Sequence, residues 1–357
     1  MQQYTYAQIE TAEPYPGEDG SRVISFFVFN TDVHFHVYCG DGREGSEDEG
    51  AGRIVEALDD ALRACRDRCL FFERHLSRTR SDSDISRAHA ASPHPIDVAP
   101  ETAELVRLAC GYCARSRGCF DITMGTVTRL WDFHEGVVPS ALELARALPH
   151  VDIDAIRVSA PDEAPWLAIE DPACSLDVGG VAKGYIADDL AQLLVAHGVE
   201  RFAINLGGNV VVRGGRPADE ASRPPVHAGD PWKIGIVNPR DPAHYRAIVD
   251  VANGSVVTSG LHERRFSKGG RTYHHILSPV DGMPAHTDVT SATIIADRSL
   301  DCDGYSTTVL MLGMDDGLAF AESIDGVEAV LISDADEVRW TSGIAERLSL
   351  VPTLPSW

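Results

Sequence analysis

Hydrophobic residues along this chain recur with two different spacings. Some segments have the spacing typical of helices and others that typical of strands. Ile54, Leu58, Leu62, Cys65 and Cys69 recur every three or four positions, so residues 53–75 are predicted to form a long amphipathic helix. The β-branched and aromatic residues of 23–38 alternate in part with polar ones and predict a pair of strands. Further helices are predicted at 100–115, 141–148, 183–197 and 303–312. Further strands are predicted at 201–205, 210–213, 232–237 and 247–251, with a closing hairpin formed by 329–333 and 337–341.

The order of these elements favours an α+β fold. Helices and strands are interleaved without the regular strand–helix–strand rhythm of a doubly wound parallel sheet. The acidic, glycine-rich run 40–52 predicts a loop. Residues 214–230 are rich in Pro, Gly, Ala and Ser, which predicts either a domain boundary or an insertion loop between two strands.

Net charge excludes one broad class of function. The 357 residues include 31 Lys and Arg against 54 Asp and Glu, which gives a formal net charge of −23 with histidine neutral. A surface of this sign repels phosphate backbones and anionic membranes, so no nucleic-acid partner is expected. The eight cysteines are scattered, and no apolar run suits a transmembrane segment or a signal peptide. The chain is therefore expected to be cytoplasmic.

One segment combines the residue types that bind nucleotide phosphates. Asp177-Val-Gly-Gly-Val-Ala-Lys183 places a carboxylate, two glycines and a lysine directly before the helix predicted at 183–197. Glycines let a phosphate approach the backbone, and a helix N-terminus offers it unpaired N–H groups. The same pattern also fits a plain connection from a strand to a helix. Asn205-Leu-Gly-Gly-Asn209 is a second double-glycine segment, which by itself predicts only a turn.

Two other places carry side chains suited to metal binding or proton transfer. Asp303 and Thr307 are four residues apart and so share one face of the helix predicted at 303–312. Their oxygens suit Mg²⁺, which usually keeps waters and bridges substrate phosphates, although Asp303 is alternatively a helix cap or a surface residue. His275 follows a hairpin predicted to turn at Gly269-Gly270. Its imidazole is either a proton carrier near neutral pH or a neutral core residue.

Taken together and in this order, these segments resemble the ApbE family of FAD:protein FMN transferases. The resemblance extends from about residue 25 to about residue 325, and several ordered blocks are harder to obtain by chance than one glycine turn. The matching blocks are Asp84-Ile-Ser-Arg87, Ser116-Arg-Gly-Cys-Phe-Asp-Ile-Thr-Met-Gly125, Leu130-Trp131, Asp177-Val-Gly-Gly-Val-Ala-Lys-Gly-Tyr185, Asn205-Leu-Gly-Gly208, Thr258-Ser-Gly260, His275-Ile276 with Pro279 and Gly282, and Asp303 with Thr307.

The resemblance implies both a fold and a reaction. The implied fold is an ApbE-type, T-fold-like mixed sheet with flanking helices and an active site in a cleft between two subdomains. Residues 1–22 would form an N-terminal extension, and residues 23–357 a single flavin transferase domain. The family cleaves FAD with the help of Mg²⁺, attaches FMN through a phosphodiester to a Thr or Ser of an acceptor protein, and releases AMP. FAD is thus the expected substrate, Mg²⁺ the expected cofactor and an acceptor protein the expected partner.

Carried over position by position, the resemblance also implies the residues of the site. Asp303 and Thr307 would ligate Mg²⁺ through their side chains, and Gly180 would do so through its backbone carbonyl. His275 would activate the acceptor hydroxyl and would form the catalytic pair with Asp303. The residues expected to bind FAD are Phe29, Thr79, Cys119, Phe120, Asp121, Asp177, Lys183, His275 and Ile276.

The chain departs from the family pattern at several positions. His89 stands where Asn is usual, an aromatic position near Thr79 is lost, and Phe29 falls where a Met contacts the cofactor. Ser278 replaces the Asp of the motif that begins at His275. Two functions other than FMN transfer therefore remain as alternatives. One is a Mg²⁺-dependent FAD pyrophosphatase that yields FMN and AMP, and the other is an FAD-binding protein without turnover.

Overall fold

The computed structural model describes residues 9–39, 49–219, 222 and 224–352. Its helices are α1 (Glu49–Leu76), α2 (Asp84–Ala91), α3 (Pro100–Arg115), α4 (Gly125–Thr128), α5 (Ala141–Ala147), α6 (Gly179–Ala196), α7 (Ser299–Leu312) and α8 (Met314–Glu322). Its strands are β1 (Tyr15–Pro16), β2 (Arg22–Val28), β3 (Thr31–Tyr38), β4 (Ile96–Asp97), β5 (Ile156–Val158), β6 (Trp166–Ile169), β7 (Arg201–Leu206), β8 (Asn209–Arg213), β9 (Trp232–Asn238), β10 (Asp241–Val251), β11 (Gly254–Gly260), β12 (Arg265–Lys268), β13 (Arg271–His274), β14 (Val289–Ala296), β15 (Glu328–Ser333), β16 (Val338–Trp340) and β17 (Leu348–Leu350).

A nine-stranded sheet organises the described residues. Its order is β1-β2-β3-β7-β8-β11-β14-β15-β16, and each neighbouring pair runs antiparallel. Strands that lie far apart in the chain meet in this sheet, since β3 pairs with β7 and β8 pairs with β11. Because β1 pairs with β2, residues before position 22 contribute an edge strand.

Both faces of the central strands are buried. On β14, Ile294 belongs to the large core shared with α1, α6 and α7, whereas Ile295 packs against the three-stranded sheet β17-β10-β9. Val211 and Val212 of β8 divide between the two cores in the same way. Strands covered on both faces carry nearly continuous apolar runs, which weakens the two-residue alternation by which strands are usually recognised.

Most elements predicted from the sequence are confirmed. The strand pair at 23–38 is the β2–β3 hairpin, and α3 has the predicted bounds. Pro100 occupies one of the first two positions of α3, where the missing N–H of proline costs no helical hydrogen bond. The turn at Gly269-Gly270 joins β12 to β13, and both glycines have positive φ. The sequence does not predict helices α2, α4 and α8 or strands β1, β4, β5, β6, β11, β14 and β17.

The predicted starts of three helices are wrong. Helix α6 begins at Gly179 rather than at 183, and α7 begins at Ser299 rather than at 303. The start of α7 is capped from another helix, because both carboxylate oxygens of Asp188 accept N–H bonds, from Ser299 at 2.7 Å and from Leu300 at 3.0 Å. A distant cap leaves no local signal in the sequence. Of the predicted loop at 40–52, residues 40–48 lie outside the described residues, and the remainder is the first turn of α1.

Helices α6 and α7 approach each other closely at Gly184. A Cβ atom at this position would lie 2.5 Å from the backbone oxygen of Ser299 and 2.8 Å from the Cα of Leu300. Neither of these backbone atoms can move away without separating the two helices. Glycine is therefore required here by close packing and not by backbone conformation.

Replacement of Gly184 with Ala is expected to lower the free energy of unfolding by about 2–3 kcal/mol, because the added methyl group forces α6 away from α7. Urea denaturation followed by circular dichroism measures the change. The matched control is Gly111→Ala in α3, where the nearest atom to the new Cβ is the flexible Arg115 side chain at 3.7 Å. This control should be neutral or stabilising by up to about 1 kcal/mol, and equal losses in the two variants would contradict the packing argument.

None of the helices in the described ranges combines the length and the apolar character that crossing a bilayer requires.

Candidate functional site

A cavity of about 870 Å³ lies where the β2–β3 turn, the start of α6, the middle of α7 and the base of the β12–β13 hairpin meet. Every residue assigned to the site from the sequence lines this cavity, although the segments that carry them are far apart in the chain. These residues are Phe29, Thr79, Cys119, Phe120, Asp121, Asp177, Gly180, Lys183, His275, Ile276, Asp303 and Thr307. The fold therefore brings the predicted set together in one place.

Asp303 is the most buried carboxyl group of the cavity. It lies in the second turn of α7, is 6% exposed, and accepts a 2.6 Å hydrogen bond on Oδ2 from the Gly184 N–H. Burial raises the pKa of the Asp303 carboxyl, while the nearby charge of Lys183 acts in the opposite direction. Across the described part of the chain, no Lys, Arg or His lies within ion-pair distance of it. The alternative that Asp303 is a helix cap or a surface residue is therefore wrong.

Gly180 and Thr307 line the same cavity as Asp303 and carry two further oxygen atoms. The Gly184 N–H, which in a regular helix donates to the Gly180 carbonyl, donates here to Asp303, and a backbone carbonyl oxygen has two lone pairs with which to accept. A Cβ at Gly180 would lie 2.8 Å from the Phe120 ring, which therefore covers this turn only because residue 180 is glycine. Thr307 lies one helical turn beyond Asp303, with its hydroxyl 3.3 Å from the Ser259 hydroxyl.

This donor set fits a hard divalent cation. The described residues contain no group of three or more His, Cys, Asp or Glu side chains that could hold a metal. The set instead consists of one carboxylate, one hydroxyl and one backbone carbonyl on the same cavity. Such a site has few protein ligands and suits Mg²⁺, which normally completes its shell with waters and phosphate oxygens. A buried carboxyl group without a cationic partner is the observation that favours a cation here.

The start of α6 is fixed by Asp177. Its Oδ1 accepts the Gly179 N–H at 2.9 Å, and its Oδ2 pairs with Arg78 at 3.0 Å. The N–H groups of Val181 and Ala182 both donate to the Val178 carbonyl. The expectation that this helix N-terminus offers unpaired N–H groups to a phosphate is therefore wrong for three of its donors, because the helix begins four residues earlier than predicted and has its own acceptors.

Two cations of the cavity lack a carboxylate partner. Lys183 follows the first turn of α6 and is partly buried, whereas Arg264 is exposed at the base of the β12–β13 hairpin. Neither forms an ion pair with any residue in the described ranges. Unpaired cations on a cavity wall favour an anionic ligand, because they gain Coulomb energy without first breaking a protein contact.

His275 is held as a neutral imidazole. Its backbone N–H donates to the Arg264 carbonyl at 3.1 Å, and its buried Nδ1 has no hydrogen-bond partner among the residues that the structure describes. Burial lowers the pKa of His275 to about 4, and the positive charge of Arg264 contributes in the same direction. At neutral pH the ring is therefore unprotonated and can accept a proton. Ile276, the next residue, is buried beside it.

The segment 119–121 forms another wall of the cavity. The Ser116 hydroxyl accepts the Phe120 N–H at 3.1 Å and so fixes the ring that covers Gly180. Oδ1 of Asp121 accepts both the N–H and the hydroxyl of Thr123, at 2.7 and 2.6 Å, which stabilises the turn. Burial raises the pKa of the Cys119 thiol, which disfavours its reactive thiolate form.

Phe29 and Thr79 lie at the rim. Phe29 and Asn30 form the two-residue turn between β2 and β3, with φ values of 54° and 59°. Positive φ at both central positions is the geometry of a type I′ hairpin turn, which a phenylalanine adopts rarely. Packing of Phe29 against the main core compensates for this strain. The Thr79 hydroxyl lies 3.0 Å from that of Ser77.

Several polar residues of the cavity are not predicted from the sequence, and four of them have clear structural roles. Arg78, which orients Asp177, stands in a charged run without a recognisable motif. Glu263 and Arg264 reach the cavity only because of the way the hairpin folds back. Asn209 is fully buried, and its Oδ1 accepts the Ser299 hydroxyl at 2.8 Å. Its Nδ2 lies outside hydrogen-bond geometry with the described residues, yet the amide favours the ionised form of Asp303.

The departure at His89 does not change the cavity wall. His89 is absent from the residues that line the cavity, and its Nε2 accepts the Leu176 N–H at 2.9 Å. The imidazole thereby supports the segment that leads into Asp177. A neutral histidine supplies an acceptor atom for this bond, as an asparagine side chain can.

Comparison with known proteins shows that this chain is similar to ApbE proteins in both sequence and fold. The model of the ApbE family matches residues 29–331. The chain is 34% identical over 286 residues to the FAD:protein FMN transferase of Treponema pallidum (strain Nichols), covering 78% of each chain. It is 30% identical over 285 residues to the protein of the same name from Klebsiella pneumoniae (strain 342), covering 79% of this chain and 84% of that relative.

A solved structure of an ApbE protein from Thermotoga maritima superimposes with a TM-score of 0.75 at 25% sequence identity. The match covers 92% of this chain and 99% of that chain. The predicted α+β architecture of the ApbE type, a large sheet with flanking helices, is thereby confirmed, and the strands of this sheet are antiparallel throughout. The span matched by the family model includes every segment that lines the cavity.

Proposed function

This chain belongs to the ApbE family of transferases, and from that premise we propose that it transfers FMN from FAD to a Thr or Ser hydroxyl of an acceptor protein with the help of Mg²⁺. The observation that carries the proposal is the convergence on one cavity of a buried carboxyl group without a cationic partner, two unpaired cations and a neutral histidine. Transfer of a phosphoryl group depends mainly on positioning of the reactants and on neutralisation of their charge. The residues of this cavity are suited to both tasks.

The reaction breaks one P–O bond and forms another. The acceptor hydroxyl oxygen attacks the phosphorus on the FMN side of the FAD diphosphate, and the bond to the bridging oxygen breaks. AMP leaves with that oxygen, and FMN remains attached to the acceptor through a phosphodiester. The hydroxyl proton passes to the free ring nitrogen of His275 and from there to solvent.

The residues of the chain then have distinct roles. Lys183 and Arg264 would neutralise the diphosphate, and Phe120 would pack beside the start of α6. Asp303, Thr307 and the Gly180 carbonyl would hold Mg²⁺, which when bound polarises the phosphoryl oxygens and stabilises the leaving group. The bond from Gly184 orients the Asp303 carboxylate before any ligand arrives.

Intact-mass spectrometry after incubation with FAD, Mg²⁺ and a candidate acceptor tests the proposal. FMN bound covalently to the acceptor supports transfer. Release of FMN and AMP without an adduct indicates the pyrophosphatase alternative, in which water replaces the acceptor hydroxyl. Recovery of intact FAD from the protein indicates binding without turnover. Either of the last two results, obtained with several acceptors, overturns the proposal.

Replacement of Lys183 with Met is expected to weaken FAD binding by about 10- to 100-fold, because a charge-assisted contact to phosphate contributes about 1.5–3 kcal/mol. Methionine keeps much of the apolar stem and removes only the charge. Quenching of flavin fluorescence measures the affinity. Lys233→Met is the matched control, since Lys233 is exposed on β9 and pairs with Asp250 away from the cavity. Unchanged FAD affinity in the Lys183 variant would exclude contact with the diphosphate.

A further inference from the structure

A strongly basic segment interrupts this acidic chain beside the cavity. Between positions 264 and 271 the sequence Arg-Arg-Phe-Ser-Lys-Gly-Gly-Arg carries four cations and no carboxylate, although the chain as a whole has a formal net charge of −23. All four side chains are exposed. Within the described ranges none of them forms an ion pair, although Lys268 donates to the Gly136 carbonyl and Arg271 lies over the Tyr273 ring. We call the hairpin of β12 and β13 the basic ribbon.

The carboxylates near the ribbon form no ion pair with it among the described residues. The positive charges of Lys183 and Arg264 oppose the burial that raises the pKa of Glu263, at the base of the ribbon, without an ion-pair contact. On the neighbouring loop, Asp132 accepts the N–H groups of His134 and Glu135 at 2.9 Å each. The Glu135 carboxylate pairs with the His134 ring at 2.8 Å. Arg265, Lys268 and Arg271 therefore have no direct ion-pair partner in the described ranges, and their charges remain available to an acidic partner.

The ribbon is continuous with the wall of the cavity. Glu263 and Arg264 precede β12, while His275 and Ile276 follow β13, and all four line the cavity. The 3.1 Å bond from the His275 N–H to the Arg264 carbonyl extends the ladder of the hairpin to the cavity edge. A segment bound along the ribbon would therefore have one end beside His275.

The ribbon also offers open strand edges on a fixed support. β12 and β13 pair only with each other among the described strands, so their outer edges present free backbone donors and acceptors. On one face, Phe266 stacks on Tyr273 at 5.3 Å, and these rings contact Phe133 and Trp131 at 5.8 Å. This aromatic packing holds the ribbon in place against the body of the protein.

We propose that the basic ribbon docks the flavin-receiving segment of the acceptor protein, and that this segment is extended and carries Asp or Glu residues beside its Thr or Ser. The inference rests on the proposed function. Backbone pairing along an open edge would supply affinity, and complementary charge would supply specificity and speed of association. Arg265, Lys268 and Arg271 lie outside the cavity lining, so their contribution is to acceptor binding and not to FAD binding.

The test compares two fluorescent 12-residue peptides, each with a central Thr, one with four flanking Asp residues and one with Asn in their place. Fluorescence anisotropy with the full chain is expected to show about tenfold tighter binding of the Asp peptide, with the preference decreasing from 50 to 500 mM NaCl. The triple variant Arg265→Gln, Lys268→Gln, Arg271→Gln should bind both peptides within about twofold of each other.

The matched control neutralises three cations elsewhere on the surface, with the changes Arg157→Gln, Lys233→Gln and Arg339→Gln. It should keep the preference for the Asp peptide, and both triple variants should keep FAD affinity. Equal binding of the two peptides, or a preference that survives in the ribbon variant, overturns the inference. Ribbon-dependent binding to phosphatidylserine vesicles without any peptide preference also overturns it, in favour of a membrane surface. Absence of an FMN adduct in the mass assay bears only on the proposed function.

Discussion

Replacement of Asp303 with Asn is expected to slow FMN transfer by about 10³-fold or more. Charge stabilisation by a catalytic metal contributes several kcal/mol to the transition state, and each 1.36 kcal/mol corresponds to about a tenfold change in rate. Asn keeps the shape of the side chain, and its Oδ1 can still accept the Gly184 N–H that now bonds to Asp303. The variant should therefore fold normally and lose only the negative charge. Single-turnover release of AMP at saturating Mg²⁺ and FAD measures the effect.

A second measurement separates metal binding from chemistry. Mn²⁺ titration of the protein without FAD, followed by electron paramagnetic resonance, should show weaker binding to the Asp303→Asn variant. The control is Asp301→Asn in the same helix, because Asp301 accepts the Tyr112 hydroxyl and does not line the cavity. This control should keep both Mn²⁺ affinity and turnover. Normal Mn²⁺ binding by the Asp303 variant would show that the cation is held elsewhere.

The buried position of Asp303 is only partly predictable from the sequence. The spacing of Asp303 and Thr307 predicts a shared helical face, and the structure confirms it. Burial of Asp303 depends on α6 crossing α7 at Gly184, a contact between positions more than a hundred residues apart. No local pattern distinguishes such a carboxyl group from a helix cap, which is why both interpretations were open.

Helices and turns whose boundaries are set by residues within the same segment can be predicted from the sequence. Boundaries set by contacts with residues far away in the chain cannot. Pro100 marks the start of α3, and Gly269-Gly270 marks a hairpin, since both act through the backbone of their own segment. The start of α7 depends on Asp188, which belongs to another helix. The first turn of α6 was missed because Gly179-Gly180 reads as a loop, although the close approach of Phe120 is what requires glycine at 180.

The same distinction applies to the cavity. Motif residues such as His275 and Lys183 can be assigned from the order of the matching blocks, because the family resemblance supplies their positions. Arg264 and Asn209 could not, since one reaches the cavity through the base of a hairpin and the other through a buried bond to Ser299. Tertiary position, rather than residue type, decides whether such side chains belong to a site.

Replacement of His275 with Ala is expected to slow transfer by about 10²- to 10⁴-fold, the usual contribution of a positioned general base. His274→Ala is the matched control, because this neighbouring histidine does not line the cavity and its loss should leave transfer nearly unchanged. Added imidazole should partly restore the rate of the His275 variant by entering the vacated space. A small effect together with no rescue would leave polarisation by the cation as the only means of activating the acceptor hydroxyl.

The contribution of His275 to the transfer rate is expected to be lost at low pH and kept at high pH. Because burial lowers the pKa of His275 to about 4, the ring is neutral and able to accept a proton throughout the range from pH 8 to about 5.5. Its contribution is present above that pKa and is lost as the pH falls through it. The ratio of wild-type to His275→Ala transfer rates isolates this group from other carboxyls that titrate in the cavity. That ratio should stay constant from pH 8 to about 5.5 and then decrease, whereas a decrease centred near the ordinary histidine pKa of about 6.5 would mean that the imidazole is solvated in the working enzyme.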